Sequence, residues 1–132
     1  MAYFLFKTEP QEYSFDVLEK EGKTVWNGVK NPLAQKFLKS VKEGNLIFIY
    51  HTGKEKQIVG LAKAISEPYI YEDGLYVVDV APVKKFKKFI KLSDIKKMPD
   101  FKDFYLVKMP RLSVMPVSDE LANIILKLTS DG

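Results

Sequence analysis

An α+β fold built around one curled sheet is predicted by three features of this sequence. About five or six short runs are rich in β-branched and aromatic residues. The segments with helical periodicity fall early and late rather than between successive strands. Several strand-like runs are joined by short turns of the hairpin kind. The βαβ alternation of a nucleotide-binding sheet is absent.

Taken in order, AYFLF (2–6) is apolar enough for a buried strand. Ser14 is placed to cap a helix running to about Glu21, with Gly22 just past its end. Asn31 caps a second helix with Pro32 at its first position, and Leu33, Ala34, Phe37, Leu38 and Val41 share one face before Gly44. LIFIYHT (46–52), QIVGLAKAI (57–65) and LYVVDVAPV (75–83) read as strands separated by turns at Gly53 and Asp73-Gly74. KKFKKFIKL (84–92) alternates as a strand with Phe86, Ile90 and Leu92 facing one way, though the Phe86/Phe89 spacing also fits a helix. Ser93 opens a short helical turn, FYLVK (104–108) reads as a strand, and Ser118 caps a last helix that buries Leu121, Ile124, Ile125 and Leu128.

The 132 residues have the length of one domain, taken as 1–132, and 46% are hydrophobic, enough for a core without covalent staples. There is no cysteine and a single histidine, so disulfides and thiolate metal sites are excluded and no metal or other cofactor is expected. No glycines are spaced as in phosphate-binding loops, and Ser113 lacks the glycine-flanked elbow of a hydrolase nucleophile. The first residues lack a signal-peptide pattern and no apolar run reaches about 18 residues, so an intracellular, cytoplasmic protein without a membrane span is expected, as a monomer.

The net charge is +4, but it is uneven: residues 83–108 hold nine lysines against Asp94, Asp100 and Asp103. Such a strip suits phosphates or an acidic surface, and it equally suits a solvated lysine face. Arg111 is the sole arginine.

Four stretches carry more polar and aromatic detail than packing requires: Lys7-Thr8-Glu9-Pro10, Trp26-Asn27-Gly28-Val29-Lys30-Asn31, Tyr50-His51-Thr52 and Arg111-Leu112-Ser113-Val114. In this order and spacing, KTEP, VWNGVKN, FIYHT, IVGLAKAISEPY and RLSVMPV resemble the EVE domain family of the PUA-like superfamily, from Tyr3 to the last helix. The resemblance implies a PUA-like mixed β pseudo-barrel of about five or six strands with helices packed around it. It also implies a reader of nucleic acid carrying a modified base, a modified cytosine or adenine in DNA or RNA, flipped into an aromatic pocket.

On that implication Trp26 and Tyr50 are the stacking surfaces, with Thr8, Asn31 and His51 at the polar edge. Each residue has an ordinary structural reading beside it: Trp26 and Tyr50 as core, Asn31 as a helix cap, His51 as a satisfied buried side chain. Lys30 and Arg111 suit phosphate, Arg111 through its planar fork. Lys84, Lys85, Lys87 and Lys88 would follow a nucleic-acid backbone if the fold brings them to the pocket rim. The competing functions are a binding module for a small molecule or nucleotide, and an enzyme that would have to use Glu9 with His51. A basic strip adjoining the pocket favours the reader over the small-ligand module.

Overall fold

Phe4, Leu5 and Phe6 are all buried, which places the first strand in the interior of a sheet covered on both faces. In the computed structural model, which describes residues 2–130, this strand is β1 (Tyr3–Thr8). Met1, Asp131 and Gly132, part of the expected 1–132 domain, lie outside the described residues. The chain continues through α1 (Phe15–Glu21), β2 (Thr24–Trp26), α2 (Pro32–Lys39), β3 (Leu46–His51), β4 (Gln57–Ala64), β5 (Tyr69–Ile70) and β6 (Tyr76–Lys91). It ends with α3 (Leu92–Ile95), a 3-10 turn at Pro99–Phe101, α4 (Tyr105–Lys108), β7 (Val114–Val117) and α5 (Asp119–Thr129).

The strands form one mixed sheet in the order β2-β6-β4-β3-β1-β7, with the short β5 beside β6. β1 and β3 run parallel, which needs a crossover, and α1, β2 and α2 supply it. Register shifts between β4 and its two neighbours β3 and β6 bend the sheet. It curls into a half-barrel with helices packed around it, the EVE/PUA-like architecture expected from the sequence.

Three helices start where the sequence places them. The Ser14 hydroxyl accepts from the Val17 amide, Asn31 Oδ1 accepts from both Leu33 and Ala34, and the Ser118 hydroxyl accepts from Leu121. Gly22 closes α1 with a φ of 81° and donates to the Leu18 carbonyl. Phe15, at the start of α1, lies so close over Gly60 that a Cβ there would stand 2.7 Å from the ring. That close approach explains a glycine inside a central strand.

The structure departs from several expectations of detail. Residues 75–83 and 84–92 are not two strands: Tyr76–Lys91 is one strand, which pairs with β4 from Val80 onward and with β2 on its other edge at Val78, Asp79 and Val80. FYLVK is α4, not a strand; the amides of Val107 and Lys108 both reach the Phe104 carbonyl. A run this short has no decisive period, and burial of Phe104 and Leu106 mimicked alternation. The seventh strand is β7, whose internal Pro116 is tolerated because β7 is an edge. α3 begins at Leu92 with Ser93 inside it, and α2 stops at Lys39, five residues before Gly44. The last helix buries Ala122, Ile125 and Thr129 fully, while Leu121, Ile124 and Leu128 are only half-buried.

Candidate functional site

The curl brings β2, at one end of the sheet, round to the C-terminal end of β1. A cavity of about 200 Å³ opens in that seam, lined by Lys7, Thr8, Tyr13, Thr24, Val25, Trp26 and Asn27. Trp26 is 7% exposed; its ring packs 5.5 Å from Phe6 and meets the edge of Tyr13 at 6.2 Å and 84°. The two neighbours fix the indole in place.

The polar lining is ordered by bonds of its own. Thr8 Oγ1 donates to the Tyr13 carbonyl at 2.7 Å, so its proton is committed and its lone pairs remain to accept. The Tyr13 hydroxyl donates to Glu21 Oε1 at 2.6 Å. Burial first, then this bond and the Glu21 charge, push the phenol up to about 12, against a weaker opposing hydrogen bond with Thr24. Lys7 lines the cavity too, but its side chain leaves on the face it shares with Tyr50: Nζ donates to the Pro110 carbonyl at 2.8 Å and stands 5.6 Å over the Tyr50 ring. Burial holds its ammonium below the usual lysine range, because neither partner is an anion.

A main-chain edge also faces the seam. Val25 pairs with Asp79, whose N–H donates to Ser66 Oγ and whose carbonyl accepts from Ile65. Both Asp79 groups therefore point away from β2. In an antiparallel ladder the opposed residue does the same, so the Val25 N–H and C=O point outward from the open edge beside the cavity. The site thus offers an indole, a threonine acceptor, the Asn27 amide and a peptide donor and acceptor: the kit for a flat heterocycle with a polar edge.

Of the five residues expected at the base pocket, the structure brings Trp26 and Thr8 together. Tyr50, Asn31 and His51 are not among the residues lining their cavity. Tyr50 is in register with Lys7, one residue out of phase with Phe6 and Thr8, so it points to the other face of the sheet and is 3% exposed. Burial raises its phenol above the usual range. Asn31 spends its side-chain oxygen on the two amides of the α2 cap. His51 Nε2 accepts from the Phe15 amide at 3.1 Å, which puts the proton on Nδ1, donated to Glu55 Oε1 at 2.9 Å. That bond is the main reason the Glu55 carboxyl lies below its usual range. Glu9 is occupied elsewhere, accepting from the Gln11 amide and Thr52 Oγ1.

Among the expected phosphate contacts, Lys30 and Arg111 are exposed, and neither is among the residues lining the cavity. Lys30 follows Asn27 by three residues, and Arg111 follows Pro110, the residue that Lys7 holds. Lys84, Lys85, Lys87 and Lys88 lie elsewhere. None of the four is among the residues lining the cavity. Lys84 lies over Phe86, while Lys85 is paired with Asp16 at 2.9 Å and lies over Phe89. Tyr13, Thr24 and Val25 join the site through the curl alone, which brings them to Thr8. Lys7 and Asn27 belong to the motifs singled out above without a role. Among the described residues no three His, Asp or Glu side chains cluster as a metal site, and no helix is long and apolar enough to cross a membrane.

A family model described as EVE domain matches residues 2–128. The chain belongs to the EVE domain family. Human thymocyte nuclear protein 1 is 29% identical to this EVE domain over 165 residues, spanning 96% of the chain and 73% of the relative. The Gallus gallus protein of the same name is 29% identical over 98% of the chain and 69% of its own length. Among solved structures, the human THYN1 protein in complex with 5-methylcytosine-containing DNA has a TM-score of 0.92 at 28% identity, covering 100% of this EVE domain and 99% of that chain. Rpa0253 from Rhodopseudomonas palustris has a TM-score of 0.91 at 33% identity, with coverage of 98% and 93%. ASCH from Zymomonas mobilis, at 15% identity and a TM-score of 0.60, shares the fold alone.

Proposed function

We propose that this EVE domain is a non-catalytic reader of a modified base in DNA, taking one extruded modified cytosine into the Trp26 cavity. The observation that carries the reading is the seam cavity itself: an indole wall, a committed threonine and an open peptide edge within about 200 Å³. Pockets for drug-sized ligands run to about 300–1,000 Å³, so this one matches a single base better than a whole nucleotide. The structure of the human THYN1 protein with 5-methylcytosine-containing DNA, alike over the full chain, supports the choice of nucleic acid and modification.

Extruding a base costs a few kcal/mol, and stacking on an aromatic face returns about 1–3 kcal/mol. Hydrogen bonds at Thr8, Asn27 and the Val25 peptide, with phosphate contacts from Lys30 and Arg111, supply the remainder. A buried methyl is worth about 0.8 kcal/mol by area alone and up to about 1–3 kcal/mol in a fitted pocket, so discrimination of roughly 4- to 200-fold is expected.

The separation of Lys84–Lys88 from the cavity is what a small-ligand module would show, so the test must address both readings. Matched oligonucleotides with and without one 5-methylcytosine, and the free nucleosides, are titrated at one fixed salt concentration. The reader prefers the modified oligonucleotide by several-fold or more and binds the nucleosides far more weakly. Equal affinity for both oligonucleotides refutes it; a nucleoside bound as tightly as its oligonucleotide assigns the small-ligand function instead.

A further inference from the structure

We propose that the groove between the β3–β4 turn and the β6–α3 junction is a phosphate-binding site that holds the nucleic-acid backbone beside the extruded base. The proposal rests on the base-reader assignment for its ligand, and on independent geometry for its place. The groove has a volume of about 560 Å³ and is lined by Lys54, Glu55, Lys56, Gln57, Lys91, Leu92, Ser93 and Lys96. Four ammonium groups thus share one concavity with a single carboxylate. That carboxylate is engaged: Glu55 Oε1 accepts from His51 Nδ1 at 2.9 Å and from Gln57 Nε2 at 3.1 Å. None of the four lysines is ion-paired among the described residues, whereas Lys85 and Lys108 are.

The walls are built rather than incidental. Lys56 holds a φ of 47°, the sole non-glycine residue with positive φ among the described residues. A lysine kept in the left-handed region is a local strain that the surroundings must enforce. Here its carbonyl accepts from the Leu92 amide at 2.8 Å, stitching the β3–β4 turn to the end of β6. Concentrated like charge also works against the compact state. A polyanion lying in the groove would offset that repulsion.

The groove is in line with the base cavity. Thr8 pairs with His51, His51 with Gln57, and Gln57 with Lys91, so one row across four strands leads from the cavity lining to the groove. Three strand spacings make about 14 Å, on the order of four base steps along a duplex. A base seated at Trp26 and phosphates seated at Lys54, Lys56, Lys91 and Lys96 are therefore within reach on one oligonucleotide. This moves the main backbone contact from the middle of β6 to its end.

The test compares wild type with K54Q/K56Q/K91Q/K96Q, with the double variant K91Q/K96Q, and with a control K20Q/K23Q/K36Q/K42Q. Each binds labelled duplexes with and without one 5-methylcytosine across about 50–200 mM salt. Each lysine that meets a phosphate should lower the log–log salt slope by about 0.9, so K91Q/K96Q loses up to about 1.8. Affinity for both duplexes should fall by the same factor, with the control unchanged. The double variant leaves the strained Lys56 intact and keeps the test decisive if the quadruple variant fails to fold. A groove-variant slope equal to wild type, or a control that falls as far, overturns the proposal. So does wild type that binds phosphatidylserine vesicles through these lysines but binds no duplex. If wild type lacks preference for 5-methylcytosine yet the groove variants lose slope, the base reading fails and the groove stands. If the preference is present and the slope does not move, the groove fails and the base reading stands.

Discussion

The Trp26 and Phe6 rings pack with centroids 5.5 Å apart, although β2 and β1 stand four places apart in the sheet. Curling closes that gap, and the seam it leaves is the cavity. Trp26 therefore does two things at once: it seals the half-barrel and forms the wall of the candidate site.

Replacing it should separate those roles. Trp26→Ala removes a nearly buried indole and should cost about 3–5 kcal/mol, measured by urea denaturation. Trp26→Phe keeps an aromatic contact with Phe6 and should cost less, while still losing stacking surface. The expected outcome is a folded Trp26→Phe domain whose preference for the modified base has dropped. Unchanged preference in that folded variant would remove Trp26 from base recognition.

His51 is expected to support the fold and not the ligand. His51→Ala leaves the Phe15 amide without its acceptor, a loss of about 1–3 kcal/mol before packing is counted. Denaturation midpoints should fall, while base preference at a temperature where the variant is folded should match wild type. A loss of base preference at unchanged stability would contradict this placement.

Gly60→Ala should destabilise although it adds a single methyl group. The new Cβ would meet the Phe15 ring at 2.7 Å, forcing α1 off the sheet or the ring off its rotamer, at about 1–3 kcal/mol. A midpoint equal to wild type would show that α1 can shift freely.

Alkaline stability should report on two phenols. Tyr13, through burial and Glu21, and Tyr69, through its hydrogen bond to Asp79, are both raised to about 12. Unfolded tyrosine titrates near 10. The folded state therefore binds these protons more tightly; their contribution is complete below about pH 10 and is lost as pH rises from about 10 to 12. Denaturation midpoints should fall through that window, and less steeply in Tyr13→Phe and Tyr69→Phe. A flat profile in wild type would contradict the assigned environments.

Local chemistry was legible in the sequence. Ser14, Asn31 and Ser118 cap as read, because a cap is decided within a few residues, and Trp26 and Thr8 were marked by the polar motifs around them. Contacts set by register and curl were not. The position of Tyr50 at a strand end points to the pocket, but the parallel pairing of β1 with β3 puts it on the face opposite Thr8. Tyr13 and Thr24 reach the cavity because β2 swings round to β1, which no local pattern encodes. The lysines of 84–88 form a charge run in the sequence, whereas the groove draws on Lys54 and Lys56 from one turn and Lys91 and Lys96 from another.

Trp26 is the sole tryptophan, so its fluorescence reads the central claim without a label. Wild-type protein is titrated with a duplex carrying one 5-methylcytosine and with its unmodified match, binding being followed in parallel by anisotropy of end-labelled DNA. A base stacked on the indole should quench Trp26 emission saturably, along the same isotherm as the anisotropy, and the unmodified duplex should quench it far less. DNA binding that saturates by anisotropy with Trp26 emission unchanged for both duplexes would contradict a base held in this cavity.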